Sequence, residues 1–353
     1  MAVAAAVLAA VVAAYEPHTF LRGDCPYYAA AALSLLEDGD FDLRDQIWGG
    51  LDVHATQVAL GARGEWFPKH PLLMPIATVP FLALFGLDGA LYFNCITVLL
   101  LFAALARLGG RFTSREAGLL AALLILFGTF LPAYFYNYSP DLFGSLLVTA
   151  GFLALFAGGT RTAGATLAAA AWAKPTNAVF FLGAVAYAGL RRGWRAAAAC
   201  ILGGAPIFAL VGLLQFHMFG APWRTGYDRT LVLAGGTVWL VTHRDFFDYP
   251  FWRGMREQLF FPGRGLLITA PPLWLALPGS VLFWRKRRPE AALLLATCTM
   301  LFLLLCRYRF WALSHAGNRF LLPLICLAVL PLSFVLDRLR ARPAGRGPRE
   351  AGT

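Results

Sequence analysis

The chain has 353 residues, 59% of them hydrophobic and only 14% charged, with a mean hydropathy of +0.64. That balance excludes a soluble globular enzyme and points to an all-α, polytopic integral membrane protein. A net charge of +11 would suit nucleic acid, but the basic residues stand in short clusters between apolar runs, where membrane topology accounts for them, and no nucleic-acid partner is expected.

In chain order, the run 2–14 reads as a short first span, or one shortened by a misplaced start codon, because it lacks the basic flank and cleavage site of a signal peptide. Asp24-Cys25-Pro26 follows, with Pro26 placed to start a helix over 27–37 and the turn Glu37-Asp38-Gly39-Asp40 to end it. The segment 71–86 is apolar enough to cross. Counting it would reverse the topology of the later arginine clusters, and it carries Pro71, Pro75 and Pro80, so it reads as a helix lying in the interface. Further spans fall at 88–106, 116–135, 140–158, 164–173, 175–190, 196–218, 265–284, 290–306 and 319–336, about ten membrane segments in all.

The stretch 164–190 has only 27 residues, short of two full crossings at about 20 each. Two short helices breaking at Lys174-Pro175, or a re-entrant hairpin, are therefore expected, and such breaks are tolerated where they line a cavity. With this pair crossing twice, Arg107/Arg111/Arg115, Arg161, Arg191/Arg192/Arg195, Arg285/Lys286/Arg287/Arg288 and the tail from Arg338 all face the cytoplasm. The reading is one transmembrane domain over 1–337, with external loops 15–87, 219–264 and 307–318, and a basic, disordered cytoplasmic tail over 338–353. Cys95, Cys200, Cys298, Cys306 and Cys326 lie in or beside apolar segments without ligand-like spacing, and read as packing residues.

Chemistry concentrates on the external side. Asp24 at a helix start is held as an anion, poised as a base or a cation partner, or is only a cap. Lys69 puts an ammonium group at headgroup depth beside His70, where a lipid phosphate is its natural partner, unless it merely anchors the next helix. Lys174 is a membrane-embedded cation that needs a cavity or a partner. Asn137 and Asp141, in and just after the polar-aromatic run 134–140, sit where they can line that cavity, or Asp141 only starts a helix. The loop 219–264 carries Arg224, Tyr227, Asp228, Arg229, His243, Asp245, Asp248, Arg253, Arg256 and Glu257, and reads as a lid or acceptor platform. Arg319 opens the last span, as a bidentate phosphate ligand or an interfacial anchor.

The order of these features resembles the C-type (GT-C) polytopic glycosyltransferases that use polyprenyl-phosphate sugars, including the mannosyl- and aminoarabinose-transferase branches. The resemblance covers nearly the whole chain. Asp24 takes the place of the essential acid near the start of the first external loop, and 27–37 and 71–86 resemble its two interfacial helices. Lys69-His70-Pro71 resembles a Lys-Pro-Pro element that meets the donor phosphate, and Ser139-Pro140-Asp141 an external Pro-Asp segment. Lys174-Pro175 resembles a Lys-Gly-Pro break, and Gly317-Asn318-Arg319 a Gly-x-Arg that opens the last core span. What this implies is inverting sugar transfer, with Asp24 as general base, Lys69, His70, Lys174 and Arg319 toward the donor phosphate, and Asn137, Asp141, Tyr227 and Asp228 toward the cavity and acceptor. The donor is a polyprenyl-phosphate-linked sugar and the acceptor a lipid, glycan or protein. Many relatives have a second acid after the first, where this chain has Cys25, which argues against a paired-acid mechanism and leaves no cofactor certain and a bound divalent cation doubtful.

The Ala-, Arg- and Gly-rich composition points to a GC-rich bacterial genome, and hence to a bacterial inner membrane. Two other readings stand beside this one: a transporter or flippase of a lipid-linked saccharide, and a non-catalytic membrane partner of an envelope complex. No inverted repeat is evident, and the polar residues gather on one face, which fits alternating access poorly.

Overall fold

The computed structural model describes residues 23–47, 56–242, 246–312 and 316–341, together with Ala6. The expected span at 2–14, His243 and Asp245 of the second loop and the tail beyond 341 lie outside the described residues. The first helix, α1 (Cys25–Glu37), begins with Pro26 in its first turn, where a missing amide costs nothing. The apolar helix α2 (Leu73–Phe85) follows, and then α3 (Gly89–Gly110).

Residues 73–110 form an almost unbroken apolar run of 38 residues, about twice what one crossing needs. Gly86, at φ +57, turns the chain between the two helices. The Phe81 and Phe93 rings consequently lie 5.6 Å apart, whereas twelve residues along a straight helix would separate them by about 18 Å. α2 is thus folded back on α3 and is a separate element.

The remaining helices are α4 (Arg115–Phe127), α5 (Pro140–Phe156), α6 (Thr160–Ala173), α7 (Ala178–Arg192) and α8 (Trp194–Phe219). After the loop that follows α8, which holds α9 (Phe251–Phe260), come α10 (Leu266–Thr269), α11 (Pro272–Lys286), α12 (Arg288–Cys306), α13 (Leu322–Leu327) and α14 (Val329–Arg340). One large apolar core runs through α3, α5, α6, α13 and α14. α8 packs along α6 at backbone contact: a Cβ on Gly164 would fall 1.9 Å from the Cys200 carbonyl oxygen, and one on Gly203 2.0 Å from that of Arg161. Small residues at a helix crossing are how two membrane helices approach without a hydrophobic driving force.

By length and composition, three helical runs among the described residues can cross a membrane: 73–110, α8 and α12. The α13–α14 unit, bent by 40°, makes a fourth. The expectation of about ten spans is therefore not met on length alone. α4, α6, α7 and α11 have only 13 to 15 residues, because Gly and Pro end them early. The expected break is present. α6 ends at Ala173, Lys174 is extended (φ −153, ψ 113), and Pro175–Asn177 form a 3-10 turn into α7. A residue before proline is driven out of the helical region, which is why the chain opens at the lysine.

The all-α reading needs a correction. The loops after α1 and α8 hold a four-stranded antiparallel sheet in the order β2-β1-β3-β4, made of β1 (Val58–Leu60), β2 (Trp66–Pro68), β3 (Thr230–Ala234) and β4 (Thr237–Val241). β1 and β2 have three residues each, too few to show alternation, and the bridge Ala59↔Thr230 joins segments far apart in sequence. β3 and β4 were legible: two five-residue apolar runs flank Gly235-Gly236, both at positive φ as a tight hairpin turn requires.

Candidate active site

The sheet, the N-termini of α1 and α5, the break after α6 and the turn before α13 enclose a cavity of about 530 Å³. Asp24, Lys69, His70, Asn137, Asp141, Lys174, Tyr227 and Arg319 all line it. Asp228 does not: its carboxylate accepts from the Thr225 amide (3.0 Å) and hydroxyl (2.9 Å), a capping box that shapes the turn bearing Tyr227.

Asp24 occupies the N-cap position of α1, but its side chain caps nothing there. Instead Oδ2 accepts from Arg319 Nη2 at 3.1 Å, and Oδ1 lies 3.8 Å from His70 Nε2. Burial opposes ionisation of this carboxyl, yet the adjoining His70 ring, then Arg319 and Lys69, outweigh it and hold its pKa well below the usual carboxylate range. Asp24 is an anion throughout the neutral range.

Lys69 follows β2 directly and is buried; its Nζ donates to the carbonyl of Thr56, and burial lowers its pKa. Gly226 lies against its backbone, where a Cβ would come within 2.5 Å of the Lys69 Cα, so the turn before β3 seats directly on Lys69-His70. The His70 ring is buried between Tyr28 (centroids 4.9 Å) and Tyr227 (5.8 Å, edge-on), with Nδ1 3.2 Å from the Tyr227 hydroxyl.

At the far side Lys174 Nζ pairs with Asp141 Oδ1, and the Ser139 hydroxyl donates to Oδ2 at 3.0 Å. Lys174 also stands 4.2 Å over the Phe320 ring. Arg319 bridges the two acids, its Nε being 3.8 Å from Asp141 Oδ2. The Gly-Asn-Arg sequence explains how it is aimed. The Asn318 side chain accepts from the Phe320 amide at 3.1 Å and donates to Gln258 at 2.9 Å, fixing the 3-10 turn Arg319–Leu321. Asn137 is buried, its carbonyl accepting from Asn94 Nδ2 at 3.0 Å, while its own Oδ1 has no hydrogen-bond partner among the described residues.

Most charges singled out in the second loop hold the loop itself. Arg229 donates to the Leu60 carbonyl at 2.6 Å, Arg253 to Glu257 at 2.8 Å, and Arg309 pairs with Asp248 outside the cavity. Sequence reading missed Tyr28, one helical turn after Asp24 and so on the same face of α1. It also missed an aromatic wall: Tyr308 lies 5.1 Å from Phe320 and 6.0 Å from Phe310, and Phe310 4.9 Å from Phe246. Neither short-range pattern nor charge marks these aromatics. Among the described residues no group of three or more His, Cys, Asp or Glu could hold a metal ion, and Cys25 is buried.

The fold is shared with ArnT from Cupriavidus metallidurans. Its crystal structure bound to undecaprenyl phosphate superposes with a TM-score of 0.60 at 14% identity, covering 97% of this chain and 59% of that one. The apo structure gives 0.58 at the same identity and coverage. The chain thus spans somewhat over half the length of these structures. No protein-family profile and no curated protein matches it in sequence. The resemblance to C-type polytopic glycosyltransferases is thereby carried by the fold of the chain as well as by its motifs.

Proposed function

We propose that this chain is a membrane glycosyltransferase that moves a sugar from a polyprenyl-phosphate donor to an acceptor hydroxyl. It works on the external face of a bacterial inner membrane, with its C-terminus in the cytoplasm. The observation that carries the reading is the meeting of Asp24, Lys69, Lys174 and Arg319 in one cavity, within a fold whose crystallised example holds undecaprenyl phosphate.

Three cations, Lys69, Lys174 and Arg319, face two carboxylates, Asp24 and Asp141, leaving positive charge in excess. A phosphodiester donor fits that excess. As the bond from the anomeric carbon to the phosphate breaks, the leaving phosphate gains a second negative charge, so these cations bind the transition state more tightly than the ground state. Lys69, whose Nζ donates to the Thr56 carbonyl, meets the phosphate first, with Lys174, Arg319 and His70 around it. Asp24, already ionised, removes the acceptor proton as the hydroxyl attacks opposite the leaving group, which inverts the anomeric centre. Asn137, Asp141 and Tyr227 line the acceptor side, and Asp228 supports Tyr227 from behind.

The test incubates protein in lipid nanodiscs with radiolabelled undecaprenyl-phosphate sugars and measures donor consumption and released lipid phosphate, wild type beside Asp24→Asn. Consumption by wild type alone supports the reading. No turnover of any donor by well-folded wild type sinks it, and donor translocation without bond cleavage would put a flippase in its place.

A further inference from the structure

His70 stands where the resembled Lys-Pro-Pro element has proline, so this chain carries an ionisable ring beside its base that the motif does not call for. The ring is almost fully enclosed, its side chain 9% exposed. Its two nitrogens face two oxygens: Nδ1 lies 3.2 Å from the Tyr227 hydroxyl, and Nε2 lies 3.8 Å from Asp24 Oδ1. Nε2 is buried and has no hydrogen-bond partner among the described residues. Once Asp24 carries the abstracted proton, a ring whose Nδ1–H donates to Tyr227 presents its Nε2 lone pair to that carboxyl.

We propose that His70 receives from Asp24 the proton taken from the acceptor hydroxyl, and that Tyr227 fixes the ring for this transfer through Nδ1. The proposal rests on the glycosyltransferase reading and adds the destination of the proton. The acceptor O–H bond breaks as its oxygen attacks the anomeric carbon; the carbon–oxygen bond to the phosphate breaks with its electron pair going to the phosphate. The proton passes to Asp24 and then to Nε2, restoring the Asp24 anion beside an imidazolium. In that state both ring N–H groups have an acceptor, Asp24 on one side and Tyr227 on the other. The imidazolium then releases its proton to water or to the departing lipid phosphate.

Physical chemistry favours such a handover. A carboxylate held below its usual range against its burial, first by the adjoining His70 ring and then by Arg319 and Lys69, keeps an abstracted proton poorly, while imidazole is the more basic partner. At rest the ring is neutral, because burial lowers its pKa, with Lys69 and Arg319 acting in the same direction and Asp24 opposing them. Tyr28 and Tyr227, the other titratable groups against the ring, stay uncharged across the working range because burial raises their pKa values.

The two schemes differ in their pH profiles. If Asp24 alone holds the proton, activity has no acid limb above the carboxylate range. If His70 takes it, activity falls on the acid side of neutrality, below the ordinary histidine value. Donor consumption by the full chain in nanodiscs, with water or membrane lipid as acceptor, is measured from pH 5 to 8. Wild type should show that limb. His70→Gln should turn over about 10–100-fold more slowly with the limb gone, Tyr227→Phe should displace it, and added imidazole should restore turnover to His70→Ala. A wild-type limb unchanged in His70→Gln and Tyr227→Phe overturns the proposal alone, as does His70→Ala that folds but is not rescued. If His70→Gln does not fold, the Tyr227→Phe profile decides. Wild type inactive toward every donor at every pH overturns the underlying reading and this proposal with it.

Discussion

Asp24 and Asp141 both stand at helix starts and both lie within reach of Arg319, yet they occupy different surroundings. The Asp24 side chain is 22% exposed to the cavity and is approached by both Arg319 and the His70 ring. Asp141 is 4% exposed and is held by Lys174, Ser139 and Arg319 together. A carboxylate that must accept a proton needs an open face, whereas one that must hold two cations in place needs none. On the proposed reading the first corner serves the chemistry and the second aims Lys174 and Arg319.

That contrast can be broken in several ways. Asp24→Asn should lower turnover by about 10²–10⁴-fold, far more than its loss of the Arg319 pairing can explain through stability, because it removes the proposed base. Lys174→Met should act on stability as well as on turnover, since it leaves Asp141 buried without its main partner. The expected loss is about 3–5 kcal/mol, largely recovered in Lys174→Met/Asp141→Leu, as thermal unfolding in detergent would read. Lys69→Gln removes one charge-assisted phosphate contact worth about 1.5–3 kcal/mol, so the donor KM should rise about 10–100-fold with the fold intact. Asp228→Ala should cost about 1 kcal/mol through the lost capping box and only weakly lower kcat, which would separate a supporting acid from the two in the cavity.

Acidity sharpens the same comparison. Folding lowers the pKa of Asp24, so the folded state binds fewer protons there than the unfolded chain. The stability this group contributes is complete above the ordinary carboxylate range and is lost as pH falls through it. His70, also lowered, has the same sign at higher pH. Unfolding midpoints from pH 8 to 4 should decline in two stages, the upper one absent in His70→Gln.

The site was more legible than the fold. Asp24, Lys69, Lys174 and Arg319 could be picked out because a charge at a helix start, at the interface or inside an apolar run has few inexpensive explanations. Lys174-Pro175 announced its own break through proline geometry. More spans were expected than length and composition alone support, because hydropathy reports what lipid tolerates and not where a helix stops. Gly128, for example, ended a helix inside the run 116–135 that looked continuous. β1 and β2 were invisible because three-residue strands owe their existence to partners elsewhere in the chain. Asp228 was misplaced because a capping acid and a cavity acid look alike until the neighbouring threonine is seen to claim one of them.

The Asp24–Arg319 pair joins residues 295 positions apart. At about 5–20 residues per second of synthesis, roughly 15–60 s separate the emergence of the acid from that of its guanidinium partner. Until then the carboxylate lacks its guanidinium partner. Completion of the pair therefore waits for the closing segment, and a ribosome-stalled intermediate would carry the acid without the cation that pairs with it.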